Sequence, residues 1–188
     1  MDKINIGKTA FINPMPVVIA GTHSNEKPNF MAVGWISSVN LNPPLIAIGI
    51  GSHRCTAKGI EESGEFSICV PDASLLEKTD YVGVVSGNKV DKSGVFDLFY
   101  GELKKAPMIR ECPICMECRL YQTVKLPTHT MFIGEIMGTY TEEKYLTDGK
   151  PNLTKINPFT LTMPDNNYWS MGDPIGKAWN IGLKLKQK

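Results

Sequence analysis

The chain has 188 residues, enough to bury a sizeable core as one domain without disulfides. A formal net charge of +1, with 42% hydrophobic and 21% charged residues, is ordinary for a soluble globular protein and excludes any bulk electrostatic case for nucleic acid or an anionic membrane. Five cysteines are an odd set, the first twenty residues carry no export signal, and no stretch approaches the roughly 18 apolar residues of a membrane span, so a cytoplasmic chain with reduced thiols is expected.

In chain order, short apolar runs bounded by Gly, Pro, Asn or Asp dominate, as strands joined by tight turns do. Pro16 to Gly21 reads as a buried strand, followed by a polar turn from Thr22 to Pro28. Phe30 to Val39 (FMAVGWISSV) reads as one strand with Gly34 inside it, and Leu45 to Ile50 (LIAIGI) as the next. Thr56 to Ser63 is predicted to be a short helix capped by Thr56 and ending near Gly64. Phe66 to Val70 is a strand stopped by Pro71. Asp72 then caps a helix to Tyr81, with Leu75, Leu76 and Thr79 at near-helical spacing. Lys92 to Tyr100 suggests a helical turn, and Met131 to Gly138 a further strand. From Thr160 the chain is rich in Met, Asn, Trp and Gly and lacks a period; it is expected to wrap the domain or a partner subunit. Many short strands and two or three helices predict a β-barrel or sandwich with helical decoration.

One stretch, RECPICMECRLY from Arg110 to Tyr121, places Cys112, Cys115 and Cys118 in a C-x-x-C-x-x-C run. That spacing opens the cysteine run of bacterial ferredoxins, but here no fourth cysteine follows and the Cys-Pro pair comes first. Read as a strand, Ile114, Met116, Cys118 and Leu120 share one face, and Cys115, Glu117, Arg119 and Tyr121 take the other. Cys115 and Cys118 then point apart and cannot converge on one metal, so structural thiols are expected. Cys55 and Cys69 lie far upstream.

GIGSHRCTAKGI, residues 49 to 60, follows a buried strand and runs into a helix start. Ser52, Arg54 and Thr56 put two hydroxyls either side of a guanidinium. A helix N-terminus favours an anion, and arginine offers a planar charged fork that suits phosphate. A solvated turn in which Thr56 merely caps the helix uses the same residues, so both readings stand on this segment alone.

Seven pieces together carry a resemblance: PMPVVIAGT (14–22), NFMAVGWISS (29–38), NPPLIAIGI (42–50), SHRCTAKGI (52–60), GEFSICVP (64–71), SGNKVDKSG (86–94) and THTMFIGEI (128–136). In order and spacing the chain resembles the flavin reductase-like, FMN-binding split-barrel family, and within it the flavoredoxin branch. The resemblance implies a mainly β fold, a six-stranded Greek-key split barrel with short flanking helices. It also implies a single domain over residues 1–188 with 160–188 as a wrapping or dimer-contact tail, and a homodimer binding FMN near the subunit interface. Asn29, Met31, Ala32, Gly34, Trp35 and Ser37 would run beside the isoalloxazine ring and ribityl chain, with Asn29 and Ser37 toward its polar edge and Trp35 as an apolar wall. Ser52, Arg54 and Thr56 would hold the phosphate. Ser86, Asp91 and Lys92 match the family's SG…DK loop, where Lys92 would add a second positive charge. His129 matches a histidine that approaches the flavin, although Pro127-Thr128 stand where Gly-Asp is more usual.

The function so implied moves electrons from NAD(P)H, or from a reduced protein partner, through FMN to an acceptor. As an enzyme, the resemblance implies an NAD(P)H-dependent flavin or ferric oxidoreductase, with nicotinamide docking transiently and no catalytic side chain required. The alternative is a non-enzymatic FMN-bearing electron carrier with no nicotinamide activity of its own. A third reading is a structural domain without flavin. Nothing in the chain resembles a G-x-G-x-x-G nicotinamide fold.

Overall fold

Seven strands of the computed structural model, which describes residues 1–187, build one antiparallel sheet. They are β1 (Val18–Ser24), β2 (Lys27–Val33), β3 (Ile36–Asn40), β4 (Leu45–Gly51), β5 (Glu65–Val70), β6 (Ile114–Lys125) and β7 (His129–Thr141). The hydrogen-bonded order is β2-β1-β5-β6-β7-β4-β3. Only Gly34 and Trp35 separate β2 from β3, yet these strands stand at opposite ends of that order. Three steps at about 3.8 Å each cannot cross a flat sheet whose strands lie about 4.8 Å apart. The sheet therefore curls until its two edges meet, giving a barrel split along the β2/β3 seam. The single strand expected over Phe30 to Val39 is thus two, and the expected six strands become seven.

Alternation along the strands feeds two cores. Val18, Val33, Ile48, Phe66, Cys118 and Phe132 pack inside the barrel. Ile19, Phe30, Cys69, Val82, Phe96 and Cys115 pack outside it. Adjacent residues such as Val18 and Ile19 serve opposite sides, as the period-2 pleat requires. In β6 the division is the expected one, with Cys118 inward and Cys115 outward. Glu117, on the outer face, is buried and accepts from the backbone N–H groups of Glu102 (3.2 Å) and Leu103 (2.8 Å) and from Tyr140 Oη (2.6 Å), so it pins the 101–103 segment over the sheet.

Helix α1 (Cys55–Ser63) caps one barrel end, with Ala57 and Ile60 in the inner core. It stops where Gly64 turns left-handed (φ 67°) and its N–H reaches Ile60 O at 3.0 Å. Its N-cap is Arg54 with no side-chain cap bond, so Thr56 sits in the first turn and does not cap it. Helix α2 (Leu76–Val84) follows a short turn at Ala73–Leu75 that Asp72 does cap, its Oδ1 accepting from Ser74 N at 2.9 Å. The expected polar turn from Thr22 to Pro28 shrinks to Asn25 and Glu26, both at positive φ (49° and 62°), because these mirror-image turn residues match the strand twist and let β1 and β2 run up to them. Lys92 to Tyr100 forms no helix; Leu98–Phe99 instead pairs with Met108–Ile109.

The segment from Thr160 is only partly aperiodic. Strand β8 (Phe159–Thr162) pairs with Met15–Pro16 on one side and with β9 (Asn167–Ser170) on the other. Beyond Ser170, every residue from Met171 to Leu185 is exposed, as are residues 1–12. No helix among the described residues is long and apolar enough to cross a membrane.

Candidate flavin site

The residues singled out by sequence fall into two neighbouring groups. The first surrounds a recess at the N-terminus of α1, lined by Met31, Arg54, Thr56, Ser86, Gly87 and Lys92 among others. A cavity of about 240 Å³ beside it is lined by Asn29, Gly87, Asp91 and Lys92, together with Ser24, Lys27 and Lys89. Neither the Cys55 nor the Thr56 backbone N–H has a hydrogen-bond partner among the described residues, and the first turn carries no acid. Two donors and the positive helix end therefore face the recess. No ion pair among the described residues includes Arg54, which is half-buried.

Buried Asn29 donates from Nδ2 to Thr56 Oγ1 at 2.9 Å. With its oxygen accepting from Asn29, the Thr56 hydroxyl keeps its own proton free to donate. Gly87 approaches Asn29 so closely that a Cβ there would collide with Asn29 Oδ1. Ser86 accepts from Asn88 N at 3.3 Å and starts this turn. Ala32 is half-buried beneath α2, where it meets Gly83. Ser52 is exposed, its Oγ 3.1 Å from Thr130 Oγ1.

Lys92 is buried, and its Nζ donates to the carbonyls of Phe30 (2.9 Å) and Val82 (2.8 Å), tying β2 to α2. Burial brings its ammonium down to about 8; a thiolate at Cys55 would oppose the shift and Arg54 adds to it. The cation is thus near the Arg54 turn, but two of its three donors serve the fold. Asp91 faces away, its Oδ2 paired with Lys27 Nζ at 2.7 Å and its Oδ1 accepting from Ser93 N at 2.9 Å. Those bonds hold its carboxyl well below the usual range.

The second group lies along the seam. The Trp35 ring is 52% exposed and stacks at a tilt on His129, with centroids 4.6 Å apart. A shallow cavity of about 340 Å³ beside them is lined by Trp35, Ser37, His129 and Met131 with Val39 and Leu126. His129 Nδ1 is 2.9 Å from Thr128 Oγ1, so the threonine before it engages the ring. Ser37 Oγ donates to Ser38 O at 3.1 Å. Gly34 is half-buried against Met15 at the strand corner. Sequence reasoning missed Lys27 and Lys89, since a lone surface lysine carries no pattern, and it missed Asn29's support of Thr56.

The fold and these residues define a split-barrel protein with a donor-lined helix end and an exposed aromatic face. Residues 11–157 match the flavin reductase like domain, and the chain belongs to that family. It is 50% identical to flavoredoxin from Methanosarcina acetivorans, with a TM-score of 0.96 over 98% of this chain and 100% of that one. It is 31% identical to the flavoredoxin of Desulfovibrio vulgaris (Miyazaki F), with a TM-score of 0.88 over 96% and 100%. A sequence relative, the NADH-dependent FAD reductase of Streptomyces globisporus, is 24% identical over 72% of this chain and 75% of its own.

Proposed function

We propose that this protein is an FMN-binding electron-transfer flavoprotein of the flavoredoxin type. The observation that carries the reading is the uncapped N-terminus of α1, where the Cys55 and Thr56 N–H groups, the unpaired Arg54 guanidinium and the Thr56 hydroxyl surround one recess. That donor set fits a phosphate monoester. Arg54 and Thr56 hold the phosphate, Asn29 orients Thr56, and Lys92 supports the recess by fixing β2 to α2. Trp35 and His129 offer an apolar ledge for a flat ring, with Ser37 at its rim. When bound, FMN supplies the redox chemistry, accepting electrons singly or in pairs. Addition of FMN to the flavin-stripped protein should quench flavin fluorescence at near one equivalent; a protein that rejects FMN overturns the reading.

A nicotinamide-driven activity is the second reading. The likeness to an NADH-dependent reductase and the open face beside Trp35 support it. Anaerobic addition of NADH or NADPH tests it, since rapid bleaching marks a reductase and an inert yellow protein marks a carrier reduced by a protein partner. We propose further that the working form is a cytoplasmic homodimer. The exposed Leu41 and the exposed terminal segments support a second copy as their cover. Light scattering at micromolar concentration tests it against a 20.8 kDa monomer.

A further inference from the structure

The outer face of the barrel holds a group that electron transfer through a flavin does not use. Cys115 on β6 lies directly opposite Cys69 on β5 in the antiparallel ladder. Residues opposed in this way have Cα atoms about 4.5–5.5 Å apart, inside the roughly 4.4–6.8 Å that a disulfide accepts. Cys112 is brought to the same place by a turn in which its N–H donates to Ile109 O at 3.2 Å, and Cys115 Sγ donates to that same carbonyl at 3.2 Å. All three belong to the outer core. Cys112 and Cys115 also form part of the wall of a cavity of about 400 Å³, with Phe99, Arg110 and Tyr140 around it. That volume is within the usual range for a small-molecule site.

We propose that Cys69, Cys112 and Cys115 form a redox-active thiol cluster that is oxidised by a low-molecular-weight disulfide entering this cavity, closing a Cys69–Cys115 bond. Against the effect of burial, the neighbouring Cys112 and Cys115 draw the Cys69 thiol well below its ordinary value, and Cys115, Cys69 and burial together hold Cys112 above its own. No group of three or more His, Cys, Asp and Glu side chains among the described residues is arranged to hold a metal ion.

In the first step the Cys115 thiol gives its proton to solvent and the thiolate bonds to one sulfur of R–S–S–R, displacing RS⁻, which takes up a proton as RSH. In the second, Cys69, deprotonated in the same way, attacks Cys115 Sγ and displaces the other half as RS⁻, which is likewise protonated to RSH. Two electrons pass from the cysteine pair to the small disulfide, and Cys112 remains a thiol. Cys118, equally buried on the same strand but in the inner core, is the built-in control.

The test incubates the full-length native protein with bis(2-hydroxyethyl) disulfide under argon, then alkylates in denaturant and maps the peptides. Free thiols should fall from five to three, with Cys69 joined to Cys115 and Cys55, Cys112 and Cys118 alkylated. Cys115→Ser should form no internal link. Retention of all five thiols, a link that includes Cys118, or an internal link that survives Cys115→Ser would each overturn the proposal. The wild-type titration decides the matter even where the serine variant does not fold.

Discussion

Replacing Arg54 by alanine separates phosphate recognition from support of the fold. Arg54 is half-buried at the recess and enters no ion pair among the described residues, so its loss breaks no charge pair in the protein. What it removes is a charge-assisted hydrogen bond to the ligand, worth about 1.5–3 kcal/mol, or roughly one to two decades in affinity. Riboflavin has the same ring and ribityl chain without the phosphate. Fluorescence titration of the flavin-stripped protein should therefore find FMN weakened on the order of tenfold to a hundredfold by Arg54→Ala, and riboflavin nearly unchanged. Thr56→Ala should act in the same sense and less strongly, because it removes a neutral donor but also strands the Asn29 amide. Equal losses for both ligands would refute the reasoning and return Arg54 to an ordinary turn residue.

Lys92→Ala should behave differently from Arg54→Ala. It leaves the Phe30 and Val82 carbonyls without their donor, at about 1–3 kcal/mol for each buried group, so the thermal midpoint should fall and both flavins should weaken together. The same lysine sets a pH dependence. Its folded value of about 8 lies below the unfolded value of about 10.4, so the folded state binds this proton less tightly and stability should rise between those pH values. Denaturant titrations at about pH 7.5 and 9.5 should show the parent gaining stability relative to Lys92→Met between the two, since the buried thiols titrate alike in both proteins. Glu117→Ala should lower stability by about 2–4 kcal/mol, since three donors lose one buried acceptor. Tyr140→Phe should cost about 1 kcal/mol, and a chemical melt that ranks the two the other way would count against the pinning role.

Much of this was legible in the residues. The β-branched runs at Leu45 to Ile50 and Phe66 to Val70 gave their strands directly, and the Ile114 to Tyr121 alternation correctly sent Cys115 and Cys118 to opposite sides. The break at Gly34-Trp35 was not legible, because an apolar run bent at a barrel corner has the same composition as a straight one. Cys69 was set aside as remote in sequence, yet the β5/β6 ladder puts it opposite Cys115, and strand pairing is a non-local fact. Lys92 illustrates the same limit. Its match to a loop motif suggested a ligand contact, but the carbonyls that hold its Nζ come from residues 62 and 10 positions away.

The corner at Gly34-Trp35 also bears on how the molecule opens. Strands β2 and β3 meet at this corner but are not ladder neighbours, so parting them breaks no sheet hydrogen bond between them. Elsewhere around the wall, separation means unzipping a ladder such as the one that joins β6 to β7 from Ile114 to Thr141. Amides on the free edges of β2 and β3 should accordingly lose their protection against deuterium first, and those of β6 last. Trp35 sits on this loose margin with its ring toward solvent, so breathing of the wall and access to the aromatic ledge are one motion: the ledge is built at the place where the barrel yields most readily.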